Sequence, residues 1–148
     1  MAGNTPTTVS AAIWIYKGAF GLDWSERRHT LLALNFADGS KPTIVQTAGS
    51  TRDYRVDKVD DYRPEISDNV VGNVNLGALL VEISKDELVS FLLKTPVDNT
   101  IDDWNSHHWV AEAMERMVQA GYLTRETLDR GTDEMADIIV DAKDEHLR

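Results

Sequence analysis

Residues 29–48, HTLLALNFADGSKPTIVQTA, predict a β-hairpin. Two apolar runs, HTLLALNF at 29–36 and TIVQTA at 43–48, have the composition and length of buried strands. The segment ADGSKP between them contains an Asp-Gly pair and a proline, which are residues that turns favour. Strands joined by so short a connection pair antiparallel, so the hairpin predicts an antiparallel sheet.

Weaker signals on either side extend this sheet. AAIWIYKG at 11–18 is a β-rich run that ends in a glycine, and GLDWSERR at 21–28 predicts a loop. Residues 52–64 alternate loosely and predict either an edge strand or an ordered loop. NLGALLVEI at 75–83 predicts a further strand, which an internal glycine weakens. Residues 1–10 are small and polar, and we expect them to form a flexible end.

The second half of the chain predicts helices. Ser84 and Glu87 have the spacing of a capping box ahead of an apolar run, which predicts a helix from Ser84 to Lys94. DDWNSHHWVAEAMERMVQAGY at 102–122 predicts the clearest helix of the chain, with a glycine at its end. The residues that follow predict one or two short helices with an acidic end. Because strands come first and helices follow, we expect an α+β fold in which a small antiparallel sheet packs against a few helices.

Composition limits the kinds of partner that the protein can have. Its 148 residues suit one compact domain, which we expect over residues 11–148. The net charge is −10, whereas phosphate binding needs clustered Lys and Arg, so we expect no nucleic acid partner. The small basic groups at 27–28 and 52–55 predict solvated surface. No apolar stretch has the length of a membrane span.

The absence of cysteine restricts the chemistry. It excludes disulfides, thiolate metal sites and a thiol nucleophile, and it is compatible with the cytoplasm, where we expect the protein. The histidines lack the spacing that metal ligands on a helix usually have, so we expect neither a metal nor another cofactor.

Ser106 is the first candidate for a functional residue. It lies in the first turn of the clearest helix, on the face of an apolar stripe formed by Val110, Ala113, Met114, Met117 and Val118. Ser106 is therefore expected to begin the buried face, where free backbone N–H groups and the positive end of the helix dipole meet. These are the ingredients of a nucleophile with an oxyanion site. The alternative is an ordinary serine at a helix N-terminus, whose side chain bonds a backbone amide.

Three histidines are further candidates. His107 and His108 are consecutive helical residues that point about 100° apart, so at most one lines the same cleft as Ser106 and the other lies at its rim. A histidine at a helix N-terminus tends to be neutral and can act as a base or a hydrogen-bond donor. His29 begins the strand at 29–36. It is either an exposed strand end or a residue placed where a sheet edge meets a helix start.

RHTLLALNF at 28–36, the turn ADG, the run SKPTIVQTAG and NSHHWV at 105–110 together resemble the lecithin retinol acyltransferase family. That family has a strand opening with His, a glycine turn, a second strand with a polar residue, and a nucleophile in NCEHFV at a helix start. Its fold is a permuted relative of the NlpC-like and papain-like cysteine peptidases. The chain is also similar to small fungal proteins that have an HW strand and a late C-x-x-W-V helix. The resemblance covers roughly residues 25–50 and 100–122 and implies a permuted papain-like fold.

The resemblance also implies roles for three residues. His29 takes the place of the general base, Gln46 that of the residue that orients it, and Ser106 that of the nucleophilic cysteine. The chain departs from the family here, because serine lacks the thiolate that performs the family's chemistry. Thr30 also stands where a tryptophan usually follows the histidine. A serine can still act as a nucleophile when a base contacts it.

These residues lead to several hypotheses about function. The first is an enzyme that acts on a small molecule by acid/base chemistry, in a cleft between the His29 strand and the Ser106 helix. It would be an isomerase, cyclase or hydrolase of secondary metabolism, and its serine-dependent variant would be an acyltransferase or hydrolase. The second is a non-catalytic module that binds a ligand or a protein, and the third is a metal hydrolase. In the first, the residues expected to contact the substrate are Trp24, Trp104, Asn105, Trp109 and one of His107 or His108.

Overall fold

The computed structural model describes residues 4–17, 28–66 and 69–141, and the predicted α+β fold is confirmed. Within these residues, five strands form one antiparallel sheet in the order β4-β3-β2-β1-β5. The strands are β1 (Val9–Tyr16), β2 (His29–Phe36), β3 (Thr43–Ala48), β4 (Arg55–Asp60) and β5 (Val70–Ala78). The helices that follow are α1 (Lys85–Leu93), α2 (Ser106–Gln119) and α3 (Arg125–Val140).

The hairpin on which the fold prediction rests is confirmed. β2 and β3 pair antiparallel, with Leu32 opposite Val45 and Leu34 opposite Thr43. Gly39 in the connection has a φ of +87°, a conformation that glycine adopts without strain. Of the two alternatives for residues 52–64, the edge strand is correct, because β4 pairs with β3 and ends the sheet on that side.

The strand predicted at 75–83 is wrong in its position. β5 covers Val70–Ala78, and the chain leaves the sheet after Leu79, whose N–H donates to the carbonyl of Val9 at 2.8 Å. Beyond it, the N–H of Leu80 donates to the carbonyl of Tyr122 at 2.9 Å, outside the sheet. Leu80 therefore bonds the loop before α3, and the strand does not continue to residue 83.

The N-terminal segment that the sequence predicts to be flexible is ordered in part. Thr7 and Ile83 exchange two backbone hydrogen bonds, of 3.2 and 3.0 Å, and β1 begins at Val9, which is fully buried. Small polar residues can pair in this way when a neighbouring segment offers its backbone groups. The first strand of the sheet thus begins before residue 11.

The helices follow their capping signals. The side chain of Ser84 accepts a hydrogen bond from the N–H of Glu87 at 3.1 Å, at the start of α1. α2 begins after Asn105 and ends before Gly121, which has a φ of +84°. The last segment forms a single helix, α3, in place of the one or two short helices that its sequence allows.

The sheet has two unequal faces. The face that packs against the helices includes Leu32, Leu34 and Val45, and it forms the main core. The opposite face carries a smaller apolar cluster that includes Leu31 and Ile44. Because side chains alternate along a strand, neighbouring residues of β2 and β3 belong to different faces, and this decides which candidate residues can meet.

Candidate active site

A cleft of about 590 Å³ lies between the start of β2 and the start of α2. It is lined by residues 28–29, by residues from the stretch 47–54 and by residues 102–106. Its volume lies in the range typical of small-molecule sites. His29 and Ser106 both border this space, which we call the Ser106 cleft, on the strand and the helix where the sequence places them.

Ser106 connects the helix to the sheet. Its Oγ accepts a hydrogen bond from the backbone N–H of Thr30 at 3.1 Å, and its side chain is 5% exposed. The alternative of an ordinary helix-start serine that bonds a backbone amide is therefore partly met. The amide belongs to β2, however, and not to the serine's own helix.

The Ser106 hydroxyl keeps its proton. Within the described residues, no histidine or carboxylate makes a hydrogen bond with Ser106 Oγ, whose partner is the Thr30 amide. A serine nucleophile needs a base in hydrogen-bond reach to take its proton. Since an amide N–H can only donate, the hydroxyl proton remains available for an acceptor in the cleft.

The side chains of His29 and Gln46 are in hydrogen-bond contact. The distance between His29 Nε2 and Gln46 Oε1 is 2.9 Å. Alternation along β2 and β3 places both side chains on the sheet face opposite α2. There they border a second pocket of about 320 Å³, together with Tyr16 and Tyr62. His29, at the end of its strand, borders both spaces, but Gln46 does not line the Ser106 cleft, which corrects the expectation that one cleft holds all three residues.

Burial keeps His29 neutral. Removal of the ring from water lowers the pKa of His29 below its ordinary value of 6.5. The hydrogen bond with Gln46 and the nearby carboxylate of Asp57 oppose this shift without cancelling it. A neutral imidazole in this position can accept a proton.

Neither His107 nor His108 lines the Ser106 cleft, contrary to the expectation that one of them does. His107 Nε2 donates to the carbonyl of Arg28, since a carbonyl can only accept, and burial lowers the pKa of His107. His108 is exposed, and its Nδ1 accepts the N–H of Asn105 at 3.1 Å. Both rings are thus engaged with backbone groups around the helix start, and the His108 ring stacks on the cleft residue Trp104 with centroids 6.2 Å apart.

Asn105 borders the cleft as the N-cap of α2. Its Oδ1 accepts the backbone N–H of His107 at 3.0 Å. The side chain that the sequence offers as a substrate contact is thus already used in holding the first turn of α2, next to Ser106.

The tryptophans divide between the cleft and the core. Trp104 borders the cleft and packs edge-on against Tyr54, with ring centroids 5.5 Å apart. Trp109 is fully buried, and its Nε1 donates to the carbonyl of Thr95 at 3.3 Å, so its expected place in the pocket wall is wrong. Residue 109 follows 106 by three positions and shares the helical face that packs into the core. Trp24 lies outside the described residues.

Arg28 is a cleft residue that the sequence assigns to the solvated surface. It is 5% exposed, and its Nη1 donates to the carbonyl of Ile138 in α3. That partner is far away in the chain, and no local sequence pattern predicts the contact. The position directly before a buried strand is the one signal that could have suggested burial.

Two contacts fix the loops that form the rest of the cleft. Asn99 Oδ1 accepts the N–H of Tyr54 at 2.8 Å, and Asn99 Nδ2 donates to the Tyr54 carbonyl at 3.0 Å. Arg52 pairs with Asp102 across the same two loops, although both side chains are exposed and such pairs contribute little. The side chain of Asn99 therefore ties Tyr54 to the loop before α2.

Metal binding and membrane insertion can be examined in the described part of the chain. There, no three side chains of His, Asp or Glu come together in a way that could hold a metal ion. No described helix has the length and apolar character required to cross a bilayer.

No protein-family model, no curated protein and no solved structure matches the chain. A function is therefore inferred from the geometry of the Ser106 cleft and of the two elements that flank it.

Proposed function

We propose that the protein is an enzyme that transfers protons on a small organic molecule bound in the Ser106 cleft. His29 is the acid/base residue, Gln46 orients it, and Ser106 donates a hydrogen bond to the substrate. The observation that carries the proposal is the position of His29, which is held 2.9 Å from Gln46 Oε1 and borders both the second pocket and the Ser106 cleft.

The proton on His29 follows from this contact. An amide oxygen can only accept, so His29 Nε2 carries the hydrogen and Nδ1 carries the lone pair. Among the described residues, Nδ1 has no hydrogen-bond partner. A neutral imidazole with a fixed tautomer and an unengaged nitrogen is the form that a general base requires.

Ser106 supports the non-covalent form of the proposal. Its hydroxyl is bonded to the Thr30 amide and has no described base beside it, so it suits a hydrogen-bond donor better than a nucleophile. An isomerase or cyclase of secondary metabolism needs such a base and donor but no covalent intermediate. A serine-dependent acyltransferase or hydrolase would need a partner for Ser106 that the described side chains do not supply.

The same residues support a divergent relationship to the lecithin retinol acyltransferase family. A histidine opens a central strand, a polar residue of the next strand contacts it, and the helix with the nucleophile position comes later in the chain. We propose on this basis a permuted papain-like fold in which serine replaces cysteine. A cytoplasmic location, which the cysteine-free composition allows, belongs to the same proposal.

A non-catalytic binding module is the second candidate. The observation that favours it is the occupied Ser106 Oγ, because an enzyme of the family would use this position as its nucleophile. The two candidates differ in one property: a binding module retains the cleft but does not accelerate proton transfer.

The experiment uses 5-nitrobenzisoxazole, a general probe for a base in a pocket. A base removes the ring C–H proton, its electron pair forms a nitrile, and the N–O bond breaks to release a coloured phenolate. We expect the wild type to accelerate this reaction, and we expect His29→Ala to lower kcat/KM by roughly a hundredfold or more.

Two variants complete the experiment. Ser90→Ala alters an exposed serine of α1 and is expected to retain the wild-type rate. Ser106→Ala is expected to lose only a hydrogen bond, with measurable turnover remaining. An unaltered rate in His29→Ala, with the fold intact by circular dichroism, would refute the proposed base and favour the binding module.

A further inference from the structure

Two residues that line the Ser106 cleft carry buried hydroxyl groups without an acceptor among the described residues. Thr47 is 4% exposed and lines the cleft, and its Oγ1 has no hydrogen-bond partner among the described residues. The hydroxyl of Ser106 lines the same cleft and has its proton available, as the bond from the Thr30 amide requires. Two residues whose hydroxyl groups can still donate therefore line one small space.

Buried polar groups without partners are unfavourable. A buried hydroxyl normally finds a hydrogen-bond partner, and one without a partner destabilises the fold relative to an apolar group of the same shape. β-branched valine would fill the space of Thr47 in β3 without that disadvantage. The presence of a hydroxyl there is explained if a ligand atom serves as its acceptor.

We propose that the Ser106 cleft takes small carbonyl compounds, and that the carbonyl oxygen of the substrate accepts hydrogen bonds from Ser106 and Thr47. This inference rests on the proposed function and names its substrate class. Hydroxyl donors match an oxygen acceptor and strengthen their bonds as that oxygen becomes negative.

The Ser106 and Thr47 hydroxyls together with His29 define one reaction. A proton leaves the carbon next to the carbonyl and passes to His29 Nδ1, and the C–H electron pair forms a carbon–carbon double bond. The π pair of the carbonyl moves onto the oxygen, where the Ser106 and Thr47 hydroxyls stabilise the enolate. When the substrate has a further carbon–carbon double bond beside the deprotonated carbon, the enolate is conjugated with it, and return of the proton to the far carbon of that double bond gives an isomer. The step needs no oxidant, reductant or further reactant.

The test compares two probes of similar shape, acetophenone and ethylbenzene, which differ in the carbonyl oxygen. Binding is measured by amide chemical shifts, and the carbonyl stretch of ¹³C-labelled acetophenone is measured by infrared difference spectroscopy. Acetophenone is expected to bind the wild type more tightly than ethylbenzene, with its stretch at a lower frequency than in water. Equal binding of the two probes, or no binding of acetophenone, would overturn the proposal.

Thr47→Val is the decisive variant because it removes a hydroxyl that holds no structural bond. It is expected to weaken acetophenone binding by roughly two- to tenfold, to return the carbonyl stretch towards its unbound value, and to leave thermal stability equal or higher. Ser40→Ala is the matched control: its Oγ is also buried and without a described partner, but Ser40 does not line the cleft. It is expected to keep acetophenone binding, and equal losses in both variants would overturn the proposal.

His29→Ala separates this inference from the proposed function. If it abolishes the 5-nitrobenzisoxazole reaction while Thr47→Val leaves acetophenone binding unaltered, His29 is the base but the proposed binding of the carbonyl oxygen by Ser106 and Thr47 is wrong. If Thr47→Val weakens acetophenone binding while His29→Ala keeps its reaction rate, the Ser106 cleft binds carbonyl compounds. The proposed catalytic function of His29 is then wrong, and so is the enolate step.

Discussion

Replacement of Ser106 by alanine tests how the site is held to the sheet. Ser106 Oγ accepts the N–H of Thr30 at 3.1 Å, and the two residues are 5% and 0% exposed. Alanine removes the acceptor and leaves a buried N–H without one, which costs about 1–3 kcal/mol. In a protein of this size, that loss lowers Tm by roughly 3–10 °C.

The assay has a global and a local part. Thermal and urea unfolding give the loss of stability, and amide hydrogen exchange reports on the Thr30 N–H itself. Ser90→Ala is the control, because Ser90 is exposed on α1 and its replacement is expected to alter the free energy of unfolding by no more than about 0.5 kcal/mol. If Ser106→Ala matched this control and Thr30 exchange stayed slow, the Ser106–Thr30 bond would not hold the site together.

Three further predictions concern pH, the core and the cleft wall. Because burial lowers the pKa of both His29 and His107, the unfolded chain binds more protons below the ordinary value of 6.5, so the free energy of unfolding should fall as the pH drops below 6.5. Urea unfolding at about pH 7.5 and about pH 5 measures this fall, and glutamine at both positions should reduce it. Trp109→Ala should cost about 3–5 kcal/mol in urea unfolding, since the ring is fully buried, and a cost near zero would return Trp109 to the cleft wall. Asn99→Ala should accelerate amide exchange at Tyr54, because both backbone groups of Tyr54 bond the Asn99 side chain, and unaltered exchange would show that another contact holds this loop.

The elements nearest to the site could be predicted because their signals are local. The β2–β3 hairpin, the Ser84 cap and the glycine that ends α2 each depend on a few neighbouring residues, and each is present. The apolar stripe of α2 likewise placed Ser106 at the start of the buried face. If residue 109 had been included in this apolar stripe, the sequence would also have placed Trp109 in the core.

The rest of the site depends on contacts between distant parts of the chain. Both faces of β2 are apolar, so the sequence could not indicate that α2 covers the Thr30 face and leaves His29 with Gln46 on the other. Arg28 is buried and donates to the carbonyl of Ile138 in α3, which no local pattern indicates. The side chain of Asn99 bonds the backbone of Tyr54 in the cleft wall, and no local sequence pattern links these two residues.

The central claim is that neutral His29 is the base of the Ser106 cleft, and the pH dependence of kcat/KM for 5-nitrobenzisoxazole tests it most directly. This profile reports the pKa of the essential base in the unliganded enzyme. Because burial lowers the pKa of His29, the rate should rise to its plateau with an inflection below 6.5, and His29→Ala should remove the inflection together with most of the rate. An inflection at or above 6.5, or one that persists in His29→Ala, would contradict the account.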